Sequence, residues 1–193
     1  MMNITRLRKI IPSLLCGLMF SSSVFAVAIR IEGEVIETAC LLAPGSESQL
    51  VTFKDRPAKD FNHEPGYGPK ERFAIKFIEC DNSAFNTLKL KFSGARETNM
   101  TGRADYFLKV RGGGNEGKLG VGLIDVDGTP LKLGESSTLG EAHNSGFGTI
   151  IGDKKAFSLD FSAYIQATPN AILDQSVRAG EYTSSVTFEI FYE

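Results

Sequence analysis

The stretch YTSSVTFEIFYE, residues 182–193, alternates with a period of two. Tyr182, Val186, Phe188, Ile190 and Tyr192 fall on one side, with Ser184 the polar exception. Thr183, Ser185, Thr187, Glu189 and Glu193 fall on the other, with Phe191 out of step. The pattern predicts a half-buried β-strand, and a strand needs lateral partners. This one closes the sequence, so the fold turns on what lies beside it.

Working outward, other stretches repeat the alternation. FSLDFSAYIQA (157–167) sets Phe157, Leu159, Phe161, Ala163 and Ile165 on one face. RFAIKFIEC (72–80) turns Phe73, Ile75 and Phe77 inward, and LKLKFSG (88–94) does so with Leu88, Leu90 and Phe92. YFLKV (106–110) and a segment near residues 50–53 read as short strands. LGVGLIDVDGTPLKLG (119–134) reads as a hairpin with a type I′ turn at Asp127-Gly128. Residues 54–71, with three Pro, two Gly and many charges, read as a long exposed loop. Gly180 opens the final strand, and no amphipathic helix is visible after residue 26. About seven or eight strands separated by turn signals, with twenty Gly, predict an all-β sandwich. The 193 residues suffice for one sizeable core.

The first residues are a separate object. Arg6, Arg8 and Lys9 precede an apolar run at 10–20, and SSSVFA ends with Val24 and Ala26 where a signal peptidase reads. This predicts a secretory signal peptide over residues 1–26, too short in its apolar part to span a bilayer. A second small-residue site ends at Ala28. Cleavage after Ala26 removes three of the 21 Lys+Arg and none of the 23 Asp+Glu, leaving a net charge of −5. An exported acidic protein is a poor partner for nucleic acid or anionic lipid, and no later segment is apolar enough to insert in a membrane. Export leaves Cys40 and Cys80, which have one possible pairing in an oxidising compartment. A reactive or metal-binding thiol is the competing use, but there is no C-x-x-C pair and His63 and His143 lie far away in sequence.

Catalytic and cofactor chemistry find no foothold. RGGGNEGKLG (111–120) fits G-x-x-x-x-G-K, yet Leu119 stands where Ser or Thr should hold Mg²⁺, and a strand comes next rather than a helix. DVDG (125–128) lacks the further oxygen ligands of a calcium loop. No G-x-S-x-G elbow accompanies the two histidines, which read as surface residues. The reading is therefore a non-enzyme with no cofactor and no metal.

At the other end of the mature chain stands VAIRIEGEV (27–35), with Val27, Ile29, Ile31, Gly33 and Val35 on one face. A sandwich that finishes on an unpartnered strand carries an apolar groove, and this arm has the design to fill such a groove on another molecule. These features together resemble the pilin subunits of chaperone–usher fimbriae, the type 1 and P pilus family of Gram-negative bacteria. GEVIETAC fits the family's opening, with Gly33 seven residues before Cys40; FAIKFIEC and LKLKFSG fit the next two strands. GVGLIDVDGTPLKLG and FSLDFSAYIQA fit the later motifs, and the ending fits best, with Gly180 fourteenth from the end and Tyr192 penultimate.

The resemblance implies an incomplete immunoglobulin-like β-sandwich that lacks its final strand and is completed by donor-strand exchange. Residues 27–35 would be the donor arm and 36–193 the pilin domain. Cys40 and Cys80 would form the family disulfide. Gly180, Tyr182, Val186, Phe188, Ile190, Tyr192 and Glu193 would border the acceptor groove. A periplasmic pilus chaperone would lend a strand there, its cleft gripping the carboxylate of Glu193. At the outer-membrane usher the arm of a neighbouring pilin subunit would displace it, and the product would be an adhesive fimbria at the cell surface. Only six residues precede Gly33 after Ala26, which looks more like minor adaptor subunits than rod-forming ones. The rival readings are a monomeric lectin-like module, with loop 54–71 as its receptor site, and a secreted hydrolase.

Overall fold

Cross-strand pairing sets in wherever the alternation is cleanest. The computed structural model describes residues 39–81, 83, 85, 87–135 and 155–193, and the backbone of 148–150, within the unit Ile36–Glu193. The residues read as signal and arm, Val27, Ile29, Ile31, Gly33 and Val35 among them, lie outside the described residues, as does His143.

Eight strands are described: β1 (Leu41–Leu42), β2 (Glu71–Ile78), β3 (Thr87–Ser93), β4 (Phe107–Lys109), β5 (Leu119–Asp125), β6 (Gly148–Ile150), β7 (Phe157–Ala167) and β8 (Thr187–Tyr192). Their pairings are all antiparallel. One sheet runs β1-β2-β7-β5-β4 and the other β6-β3-β8. The inward positions of β2, β3 and β7 are those the sequence predicts: Ile75, Phe77, Leu88, Leu90, Phe92, Leu159, Phe161, Ala163 and Ile165 are all buried. Phe161 joins the layers, stacked on Phe73 at 5.4 Å in its own sheet and edge-on to Phe92 of the other at 5.2 Å. Such a two-layer antiparallel core is a β-sandwich, the architecture that the immunoglobulin-like expectation calls for.

The glycines of LGVGL have a packing reason. A Cβ on Gly122 would fall 2.6 Å from the Tyr164 ring, and one on Gly120 would fall 3.2 Å from Phe107 Cβ. Tyr164 and Phe107, themselves edge-to-face at 5.8 Å, cover the outer side of β5, so all seven of its residues are buried.

The disulfide forms between Cys40 and Cys80. It ties the residue before β1 to the end of β2, where Leu41 pairs with Ile78.

Several readings are corrected. The turn after β5 is not type I′, because only Gly128 has positive φ, at 87°. It is a tight turn with Gly128 N–H donating to Asp125 O, and the buried Asp125 carboxylate accepts from the N–H groups of Asp127 and Thr129. That explains DVDG without a cation. A short helix, α1 (Pro169–Leu173), succeeds β7, with Thr168 Oγ1 accepting from Ala171 N and Pro at the first turn. Five residues are too few to give an amphipathic period. Loop 54–71 is not free: Phe61 is buried, Gly68 N–H donates to Ile165 O, and Tyr67 bridges to Gln166. Residues 50–53 belong to no strand, for a reason the cleft supplies.

Candidate functional site

β8 pairs along one side with β3, from Leu88 opposite Tyr192 to Ser93 opposite Thr187. On its other side no described residue pairs with it. Its burial alternates accordingly. Phe188, Ile190 and Tyr192 are half-buried while Thr187, Glu189 and Phe191 are exposed, and none of the six reaches full burial. A strand with a neighbour on each side buries its inward residues completely, as β3 does between β6 and β8.

Beside β8 opens a cleft of 820 Å³. Its floor is apolar and comes from both sheets: Phe73 and Ile75 of β2, Val121 and Leu123 of β5, Ala163 of β7, and Phe92 of β3. One wall is residues 182–188 with Ile190, and the facing wall is residues 46–51 with Phe53. That facing wall hangs from β2 by side chains. Ser46 Oγ accepts from Lys76 N at 3.1 Å, and Gln49 Nε2 donates to Ala74 O at 2.8 Å. Among the described residues, none hydrogen-bonds through its own backbone to the backbone of residues 47–56. Val51 and Phe53 are half-buried, and Leu50 is 91% exposed. This is why the alternation at 50–53 yields no strand: among the described residues no backbone ladder reaches it on either side.

Aromatic contacts mark the two ends. Phe53 of one wall meets Tyr182 of the other at 6.3 Å. At the opposite end the Tyr192 hydroxyl donates to Cys40 O at 2.8 Å, and its ring tilts against Phe85 at 6.0 Å. Burial pushes the phenols of Tyr182 and Tyr192 above their ordinary range, and Asp55 adds to the effect at Tyr182.

The residues to which the sequence points divide between two places. Tyr182, Val186, Phe188 and Ile190 line the cleft. Tyr192 lies beyond the lining, tied to Cys40, and Glu193 continues the ladder, exchanging backbone bonds with Thr87 while its side chain pairs with Lys89. Gly180 sits further off, where its backbone meets Gly113: a Cβ there would lie 2.9 Å from Gly113 Cα. The segment 182–186 precedes β8 rather than belonging to it, because it pairs instead with Arg111 through Thr183 and with Lys109 O through Ser184 Oγ. Sequence reasoning missed the facing wall at 46–53 as part of the site, and read the floor residues of β2, β3, β5 and β7 as core or strand only. The Val51 and Phe53 alternation was the available signal for the wall.

The chemistry of this site is adhesion of backbone and apolar side chains. Among the described residues no His, Cys, Asp and Glu cluster could hold a metal ion. No described helix is long and apolar enough to cross a membrane. The trough is apolar, and no described ladder crosses it from one wall to the other.

Comparison with known proteins places the chain. The profile of the fimbrial protein family matches residues 29–193, and the chain belongs to that family. It is 33% identical over 180 residues to the fimbrial adapter PapK of Escherichia coli, covering 93% of this chain and 95% of PapK. It is 32% identical over 180 residues to PrsK of Escherichia coli, covering 93% and 95% respectively. Its fold is similar to that of the P pilus rod subunit PapA, with a TM-score of 0.61 at 16% identity over 81% of this chain and all of PapA. The protein is thus a structural fimbrial subunit, not an enzyme. It is exported to the cell-surface pilus, where it polymerises with neighbouring pilins.

Proposed function

We propose that the cleft beside β8 is the acceptor groove for a strand supplied by another polypeptide, and that the subunit works as an adaptor within a chaperone–usher fimbria. The observation that carries this is the pair of facing walls, β8 with its approach and residues 46–53, standing over one apolar floor without a ladder between them. A strand laid in the cleft gains backbone bonds along its length and buries alternate side chains. Three aliphatic side chains at about 1.5–3 kcal/mol each give several kcal/mol before ordering costs.

In this reading a periplasmic chaperone fills the cleft first, with Glu193 at its grip, and the arm of the next subunit replaces it at the usher. Residues 27–35, with Val27, Ile29, Ile31, Gly33 and Val35 on one face, serve the preceding subunit in the same way, after the signal at 1–26 is removed. The adaptor role is supported by the likeness to PapK, by name a fimbrial adapter, and by the short arm before Gly33.

Thermal unfolding of the mature protein tests it, alone and with synthetic peptides copying residues 27–36 and the corresponding arms of its fimbrial neighbours. At least one peptide should raise the melting temperature by several degrees. Equal melting temperatures with every peptide would remove the strand-acceptor reading.

A further inference from the structure

Two asparagines outside the lining of the cleft hold the segment that leads into its wall. Asn62 Nδ2 donates to Val177 O at 3.1 Å, and Asn62 Oδ1 accepts from Val177 N at 2.9 Å. Asn115 does the same one residue later: Nδ2 donates to Arg178 O at 2.8 Å, and Oδ1 accepts from Arg178 N at 2.9 Å. A side-chain amide carries the same donor and acceptor as a peptide group, so each asparagine acts as one rung of a ladder. Successive residues of an extended chain point their backbone groups to opposite sides. Residues 177–178 are therefore gripped from two directions, by loop 54–71 and by loop 111–118.

Immediately downstream of this grip the chain becomes the cleft wall. From Gly180 it runs against Gly113, exchanges two backbone bonds with Arg111 through Thr183 (2.8 and 2.9 Å), and approaches Gly94 closely enough that a Cβ there would lie 2.9 Å from Ser185 O. All these contacts are on the side away from the cleft. From the cleft side only the Phe53 ring is described against Tyr182, with no backbone hydrogen bond, so the wall depends on these outer contacts and on its anchorage upstream.

We propose that Asn62 and Asn115 are positioning residues for strand capture, setting the wall at residues 182–187 in place before any strand arrives. The inference rests on the acceptor reading for its function, but the anchoring itself can be measured without a strand. Neither asparagine lines the cleft. Their effect on capture therefore runs through the wall alone.

Hydrogen exchange on the full mature chain decides it, comparing wild type with Asn115→Ala and, as the milder change at a half-buried site, Asn62→Ala. Loss of the two bonds made by either amide should speed exchange across residues 177–187 by roughly tenfold while leaving β2 and β7 at wild-type rates. Uptake of whichever peptide stabilises the wild type most should slow by a similar factor, and exchange should return to the wild-type pattern once it is seated. Unchanged exchange at 177–187, or an equal rise throughout the chain, would overturn the proposal. So would peptide uptake at the wild-type rate despite a loosened wall. If no peptide binds wild type, the acceptor reading falls while the exchange contrast still decides the anchoring.

Discussion

The hydroxyl of Tyr192 fastens the last strand to Cys40, the residue that the disulfide joins to Cys80. Tyr192→Phe keeps the ring against Phe85 and removes one neutral hydrogen bond. The expected cost is about 0.5–1.5 kcal/mol, read as a lower denaturant midpoint at unchanged slope. The phenols also set a pH limit. Tyr182, Tyr192 and Tyr164 are all pushed upward by burial, so the folded protein keeps these protons to higher pH than the unfolded chain does. A raised folded value means stability is fully present below the unfolded value of about 10 and is lost as pH climbs through the folded ones. Melting temperature should therefore fall above pH of about 10, and Tyr182→Phe should make that fall shallower. Unchanged steepness would show that Tyr182 titrates alike folded and unfolded.

On the outer face of β8 the charges are matched to β3. Glu189 stands opposite Lys91 and pairs with it, Phe191 stands opposite Lys89, and the Lys91 ammonium lies 5.3 Å from the centre of the Phe191 ring. Phe191 is out of step with the apolar face because it is a platform for a cation, which periodicity alone does not reveal. These rungs fix the register of a strand that has one ladder to rely on. Lys91→Glu places like charges across the rung and should destabilise by about 0.2–1 kcal/mol, modestly because the pair is partly exposed. The exchange Lys91→Glu with Glu189→Lys should restore the loss in a double-mutant cycle. The regular strands were legible because burial on one face writes a period of two into β2, β3, β7 and β8. Residues 50–53 carry the same period without forming a strand, since a strand is defined by its neighbour as well as by itself. The turn at Gly128 escaped sequence reasoning because type I′ and a turn with one left-handed glycine share the Asp-Gly signature.

Across the whole molecule the apolar face of β8 was legible from its alternation, and its single described ladder, to β3, was not. Nor was the anchorage upstream of the cleft wall, because Asn62 and Val177 are 115 residues apart and Asn115 and Arg178 are 63 apart, with no local pattern to link them. The cysteine pairing was legible because only Cys40 and Cys80 lie beyond residue 26. Its closed loop, with a separation of 40, gives an upper stabilisation of about 4 kcal/mol by chain entropy. Reduction under native conditions should lower the denaturation midpoint by a corresponding amount, and an unchanged midpoint would mean that the reduced unfolded chain is already compact there. One consequence concerns force. The cleft has two margins, β8 with its approach and residues 46–53, so under the proposed function a ribbon seated in it would be stitched along both edges. Tension drawn along such a ribbon meets all of its stitches at once, in shear, whereas a contact patch would tear open stitch by stitch.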